Sequence, residues 1–341
     1  MARLRVVVLC PGRGSYGREE LGSLAGRGSR FLDAFDALRA ARGRPTVRAL
    51  DAEPRYSARL HVAGEHASAL TAAVSLTDFA ALDPAKVDVV AVVGNSMGWY
   101  TALGAAGALS PADAALLVET MGSFQEGNVR GGQAVYPVVD EAWRPDAGLE
   151  AAVEAALADI PGLYRSIALG GQVVFGGTEE ALAALAARVP AVQRGALTYP
   201  LRLPLHSAFH TPLLRETALR AQAELGGLGW SAPEIPLVDG LGRVWNRGFG
   251  SPDALRDYTL GPQVDDVFDF TAMMRVALGE FAPDAVVLPG PGSNLGGAVA
   301  QVMIRLGWAG LHSKDDFTRR QAEKPVVIAL RRPEQAALAL A

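Results

Sequence analysis

The sequence predicts an α/β protein, a parallel, doubly wound sheet carrying one small inserted β-α-β-β-α-β unit. Three observations carry that reading. Runs at residues 4–10 and 87–93, apolar apart from Arg5 and Asp88, have the composition of strands covered on both faces. Each is followed by a glycine-bearing turn and later by a segment of helical spacing, the alternation expected of a parallel sheet. Between residues 132 and 202 the pattern changes to strand, helix, strand, strand, helix, strand, the split arrangement of a ferredoxin-like unit.

Taken in order, the first strand ends at Pro11 and a turn, Gly12-Arg13-Gly14-Ser15-Tyr16-Gly17, too rich in glycine to remain extended. Residues 31–41 place Phe31, Leu32, Phe35 and Leu38 on one side of a helix, and residues 68–79 form another. The strand at 87–93 feeds a tight turn and a helix over 99–109, after which Ser110 and Pro111 supply an N-cap and a first-turn proline for the next helix. In the insertion, residues 133–139, 163–168, 172–176 and 196–203 read as strands, and residues 149–160 and 179–189 as helices. The expected division is an α/β core at 1–131 and 203–314, a ferredoxin-like subdomain at 132–202, and a C-terminal tail or added edge strand at 315–341.

Half of the 341 residues are hydrophobic, enough to bury a sizeable core and to exclude disorder for most of the chain. Lys and Arg total 32 against 36 Asp and Glu, and the net charge of −4 argues against a nucleic-acid binder. The single cysteine, Cys10, allows neither an internal disulfide nor a cysteine-based zinc site, which suits a reducing cytoplasm. Two uncharged stretches, residues 89–111 and 285–304, are long enough to span a bilayer. Each carries a cluster of turn residues near its start that no lipid-exposed helix would tolerate, so no membrane partner is expected. The N-terminal strand, with Arg3 and Arg5, lacks the layout of a signal peptide. A soluble cytoplasmic protein is the expectation.

The strongest chemical signal is Gly94-Asn95-Ser96-Met97-Gly98, a G-x-S-x-G between a buried strand and a helix. That context is what a nucleophile elbow needs: a sharp turn exposes the Ser96 hydroxyl, and the following amide opens a helix where N–H groups are free to receive an oxyanion. The competing reading is an ordinary glycine-rich turn, and the flanking strand and helix favour the elbow. A serine nucleophile needs a base. Of the five histidines, His206 and His210 stand four apart, the helical spacing of a metal pair, but Pro204 and Pro212 bracket them and no third ligand follows. No metal is expected. On spacing alone, His210 as a loop-borne base stands level with an ordinary packing histidine. The Gly12-x-Gly14-x-x-Gly17 turn matches the dinucleotide fingerprint, yet the region about 20 residues on is helical rather than a strand ending in an acid. A glycine-rich loop beside the active centre is the better reading.

In combination these pieces resemble the malonyl-CoA:acyl carrier protein transacylases and the acyltransferase domains of polyketide synthases, in order over about residues 4–305. The resemblance rests on Pro11-Gly12-Arg13-Gly14-Ser15 where that family has P-G-Q-G-S, and on Gly94-Asn95-Ser96-Met97-Gly98-Trp99 where it has G-H-S-L-G-E. It continues through Ala208-Phe209-His210-Thr211, Ile235-Pro236-Leu237-Val238, Gln263 and Gly290-Pro291-Gly292. It implies a hydrolase-like α/β core with the ferredoxin-like insertion, and a ping-pong transfer between an acyl-CoA and the phosphopantetheine thiol of an acyl carrier protein, in fatty acid or polyketide biosynthesis. By that resemblance Ser96 would attack the thioester while His210 takes its proton, and the backbone amides of Arg13 and Met97 would hold the oxyanion. A main-chain carbonyl near Gln263 would orient the histidine, and no permanently bound cofactor is implied.

The departures bear on the acyl group. Malonyl-specific members carry an arginine in a run like R-G-x-F-M-Q-E, and here Met121-Gly122-Ser123-Phe124-Gln125-Glu126 puts methionine in its place. Methionine cannot clamp a carboxylate as arginine does, so an uncharged acyl group such as acetyl is expected, with Arg13 and Arg130 as the substitute cations if malonyl is taken. Asn95 and Trp99 replace the usual histidine and glutamate and join Met121 and Phe209 as acyl-pocket candidates, although packing at the helix start is the stronger reading of Trp99, while Ala168-Leu169-Gly170 replaces the usual N-S-P turn. Arg194, Arg202, Arg243 and Arg247 are candidates for docking an acidic carrier, a reading that ordinary solvated surface arginines match at least as well. The rival functions are an editing thioesterase with the same Ser-His pair and a non-catalytic carrier-docking protein.

Overall fold

A computed structural model of the chain describes residues 3–124, 129–204 and 206–341. Its strands are β1 (Leu4–Cys10), β2 (Val87–Gly94), β3 (Gly132–Pro137), β4 (Leu163–Leu169), β5 (Gln172–Gly177) and β6 (Val192–Arg194). They continue with β7 (Leu197–Tyr199), β8 (Leu201–Leu203), β9 (Leu237–Val238), β10 (Val244–Trp245), β11 (Phe268–Asp269), β12 (Ala285–Leu288) and β13 (Val327–Ala329). The larger sheet has the order β10-β9-β2-β1-β12-β13, parallel throughout except for β10. Because side chains alternate along a strand, β1 feeds two cores. Val6, Val8 and Cys10 join Phe31, Phe35, Leu70 and Trp99 on one face, while Val7 and Leu9 join Phe175, Phe270 and Met273 on the other. That double burial explains why the run is apolar without a break from Val6 to Cys10.

The second sheet, β11-β4-β5-β3-β8, is antiparallel except for the β11–β4 pair, and it packs through Val135, Val174 and Phe175 into the same core as Val7 and Leu9. The strand expected over residues 196–203 is in fact two. Pro200 has no N–H to continue a ladder. Residues before it pair as β7 with β6, an unanticipated hairpin turning at Gly195 (φ +56°), and those after it pair as β8 with β3. The helix expected over 99–109 runs Gly98–Ala105 and stops where Gly107 takes a left-handed conformation (φ +73°). Ser110 caps the helix Pro111–Ser123, its Oγ accepting from the amide of Asp113 at 3.1 Å. The apolar run at 325–330 contains β13, which adds an outer parallel strand beside β12. Both stretches that reach bilayer length are strand, turn and helix, and no helix among the described residues is long and apolar enough to cross a membrane.

One ion pair is buried in the helical layer. Arg39 and Glu119 are both fully shielded, with Arg39 Nη1 donating to Glu119 Oε1 at 2.6 Å and to the Glu65 carbonyl at 2.9 Å, while Nη2 meets His66 Nδ1 at 2.8 Å. A charge taken this far from water is tolerable only while its partner remains. Glu119→Ala leaves the guanidinium uncompensated, and its expected cost is about 3–5 kcal/mol, read as a drop in the urea midpoint with an unchanged slope.

Candidate active site

The turn after β2 is as sharp as the sequence requires. Ser96 sits at φ +55°, a left-handed conformation costly for a residue with a side chain, and Gly98 opens the next helix. The flanking glycines are dictated by space. A Cβ on Gly94 would lie 2.1 Å from the Gly98 carbonyl oxygen, and one on Gly98 would lie 2.3 Å from the carbonyl oxygen of Cys10 in β1. Met97 occupies the N-cap position of the helix Gly98–Ala105, so its backbone belongs to the end where N–H groups are available.

His210 reaches the same point from a loop, also at φ +55° and buried. Its Nδ1 lies 2.9 Å from the carbonyl oxygen of Gln263, which can only accept, so Nδ1 carries the proton. Nε2 is then a lone pair, and it lies 2.7 Å from Ser96 Oγ, whose hydroxyl donates to it. Gln263 holds both partners. Its side-chain amide donates to the Ser96 carbonyl at 3.0 Å and accepts from the Tyr258 hydroxyl at 2.9 Å, and that hydroxyl in turn receives the Gly240 N–H. Burial pushes the His210 imidazole down to about 4, the Gln263 carbonyl pulling the other way. The ring is therefore neutral at neutral pH, as a proton acceptor must be.

Ser96 and His210 open onto a cavity of about 200 Å³. Its walls come from both sheets: Asn95, Met97, Tyr100 and Met121 from the parallel-sheet side, Gln133, Ile167, Leu169 and Val174 from the antiparallel sheet. Arg13, Phe209 and Gln263 line it too, so the structure brings together every proposed site residue but one. Trp99 is no pocket residue and takes the packing role instead. It is fully buried away from the cavity, its indole N–H donating to Thr259 Oγ1 at 3.0 Å and its ring meeting Tyr258 edge to face at 5.5 Å. A residue one step past the helix start turns back into the core.

Of the two substitute cations, Arg13 stands at the wall, its guanidinium 5.8 Å from the Phe209 ring centre and its pKa lowered by burial. Arg130 is exposed and pairs with Glu216. Arg194 donates to the Val139 carbonyl, and Arg202, Arg243 and Arg247 pair with Glu179, Asp239 and Glu234. Gln125 and Glu126 lie outside the described residues. Burial raises the Cys10 thiol to about 12, which makes it a packing residue. His206 and His210 turn to different partners, and among the described residues no group of three His, Cys, Asp or Glu is placed to share a metal. The sequence carried no signal for Tyr258 or Ser166, and His206 drew notice there only as half of a metal pair.

No protein-family model matches the chain. The malonyl CoA-acyl carrier protein transacylase of Salmonella typhimurium (strain LT2) is 32% identical over 155 residues, 44% of this chain and 47% of the relative. The aligned part thus spans about half the length of the curated relatives. Among solved structures, an acyl-carrier-protein S-malonyltransferase from Bartonella henselae superposes with a TM-score of 0.74 at 19% identity, covering 98% of each chain. The fold is that of the malonyl transacylases. A second malonyl-transacylase, PlMCAT, solved with the type II polyketide synthase carrier protein AntF, matches with a TM-score of 0.72 at 19% identity over 98% of this chain and 99% of the other. This shared malonyl-transacylase architecture is the α/β fold expected from the sequence.

The close packing at the elbow gives a test. Gly98→Ala must push the helix off the Cys10 carbonyl and is expected to cost about 1–3 kcal/mol, seen as a lower thermal midpoint, whereas Gly279→Ala, where a Cβ meets open space, should leave the midpoint unchanged or raise it.

Proposed function

We propose that this chain is a cytoplasmic acyltransferase that takes an acyl group from a coenzyme A thioester and passes it to the phosphopantetheine thiol of an acyl carrier protein. The observation that carries the reading is the series Ser96 Oγ, His210 Nε2, His210 Nδ1, Gln263 carbonyl, with contacts of 2.7 and 2.9 Å, opening onto a cavity with mainly apolar walls. The names of the curated relatives and the fold neighbours support the choice of donor and acceptor. In this reading residues 1–131 and 203–314 form the catalytic core, residues 132–202 a ferredoxin-like subdomain closing the acyl side, and residues 315–341 an addition to the sheet edge.

The chemistry follows from the geometry. Ser96 Oγ attacks the thioester carbon as its proton passes to His210 Nε2, and the new oxyanion is received by the backbone amides of Arg13 and Met97. One such donor is worth about 3 kcal/mol in comparable sites. Collapse breaks the C–S bond, and the imidazolium returns its proton to the departing coenzyme A sulfur. The carrier thiol then repeats the sequence in reverse, His210 taking its proton and Ser96 leaving. No carboxylate orients the histidine, and the Gln263 carbonyl does so.

Met121 at the cavity wall makes an uncharged acyl group the preferred cargo, because a carboxylate placed beside it gains no charge-assisted bond. Arg13 at the same wall supports a second reading, in which malonyl is accepted with Arg13 as its counter-ion. Intact mass after brief incubation with acetyl-CoA or malonyl-CoA, beside Ser96→Ala, decides between them. An acetyl adduct that is absent in Ser96→Ala is expected, with Met121→Arg gaining malonylation. A dominant malonyl adduct on the native protein overturns the uncharged preference, and free acid released without any carrier points to an editing hydrolase instead.

The pH dependence follows from the neutral base. With His210 lowered to about 4, its accepting form is fully present at neutral pH and is lost only as pH falls toward that value. The rate of Ser96 acylation at saturating acyl-CoA should stay level from pH 8 to pH 6. An acid limb centred on the ordinary histidine pKa of about 6.5 would count against a buried base.

A further inference from the structure

One corner of the cavity is polar in a direction that can be worked out. Ser166 Oγ lies 2.7 Å from the carbonyl oxygen of Phe209, which can only accept, so the hydroxyl donates there. The same oxygen lies 2.6 Å from the Gln133 amide nitrogen and, its own proton being committed, accepts from it. The Gln133 amide is thereby oriented with its oxygen toward His206, 2.8 Å from Nδ1. Nδ1 therefore carries the proton, and Nε2 of the neutral ring is a lone pair with no hydrogen-bond partner among the described residues. Burial and the charge of Arg13 hold this imidazole down, at about 4, so the neutral form persists. His206 and Arg13 both stand against the Phe209 ring, with centroid distances of 5.8 Å in each case, and both line the cavity.

An acceptor and a cationic donor thus share one corner of an acyl site whose walls are mainly apolar. A plain alkyl chain leaves the His206 lone pair without a partner, and a carboxylate offers only oxygens that meet it lone pair to lone pair. A hydroxyl supplies both a donor and an acceptor. We propose that His206, together with Arg13, selects a small uncharged acyl group bearing a hydroxyl, which donates to His206 Nε2 and accepts from the Arg13 guanidinium. The proposal rests on the acyl-transfer reading and narrows its substrate class. The cavity, at about 200 Å³, is several times the share of one liquid water, about 30 Å³, which accommodates a four-carbon group.

The test compares butyryl-CoA with 2- and 3-hydroxybutyryl-CoA and with malonyl-CoA, reading kcat/KM for acylation of Ser96 by intact mass. One of the hydroxylated thioesters is expected to exceed butyryl-CoA by about tenfold, the value of one hydrogen bond, and His206→Leu is expected to bring that ratio to about one. Equal values in the native protein, a preference that survives in His206→Leu, or faster acylation by malonyl-CoA than by either hydroxylated thioester each overturns the proposal. Calorimetric binding of butyryl-pantetheine and its two hydroxylated forms to Ser96→Ala reads the pocket without turnover. Tighter binding of a hydroxylated form supports the proposal, and equal or absent binding overturns it. If no thioester labels Ser96, the acyl-transfer reading fails by itself while the binding measurement still judges the selectivity.

Discussion

The site depends on one contact between main chains. The helix that follows β2 begins against the carbonyl of Cys10, so close that a single methyl at Gly98 would fall 2.3 Å from that oxygen. The same carbonyl accepts the Asn95 N–H at 3.0 Å, which pins the turn to β1 from its other end. A chain held at both ends over so few residues must reverse sharply, and the reversal places Ser96 in a left-handed conformation. Strain of that kind persists because the two strands beneath it are buried on both faces and cannot yield. The position of the Ser96 hydroxyl is thus set by the core of the sheet rather than by the loop that carries it.

His210 is held by different means. It comes from a loop, in an equally strained backbone conformation, and its orientation depends on hydrogen bonds. Its own amide reaches the Val264 carbonyl, its ring reaches the Gln263 carbonyl, and the Gln263 side chain returns to the carbonyl of Ser96. The segment 263–264 therefore ties serine and histidine to one another, and Tyr258 holds that segment from behind. A main-chain carbonyl in this role carries only a partial charge, so it aligns the ring while raising its proton affinity less than a carboxylate would. That is consistent with a base that remains neutral in a buried position.

What could be read from the sequence divides along the same line. β1, β2 and the G-x-S-x-G turn were legible because the constraints that shape them are local: an apolar run covered on both faces, then glycines where a side chain cannot fit. The pairing of Ser96 with His210 spans 114 positions and was legible only through the ordered motifs of a resemblance. Trp99 shows the limit of that route, since its place in a motif left both a pocket and a packing role open, and helix geometry sends it toward Thr259. The division of the strand at Pro200 needed only the missing N–H, but the partner waiting for the earlier half, β6, was too short to register as a strand. The chain from His206 through Gln133 and Ser166 to Phe209 links three separate segments, and no spacing in the sequence announces it.

The two sheets divide the labour of the cavity. Ser96 sits on the turn after β2 of the parallel sheet, with His210 and Gln263 tied to it by hydrogen bonds, and Gln133, Ile167, Leu169 and Val174 come from the antiparallel sheet. Ile167, Leu169 and Val174 give the wall its apolar surface, whereas Gln133 is also tied through Ser166 to the carbonyl of Phe209. The point of exchange between the groups is the segment 206–210, where His206 answers to Gln133 on one side and His210 answers to Gln263 on the other. Phe209 lies between them, its carbonyl held by Ser166 of the antiparallel sheet and its ring facing both His206 and Arg13. A substitution that shifts Ser166 would therefore reach the base through a single peptide unit, so residues of this wall carry more consequence for the Ser96–His210 pair than their distance from it suggests.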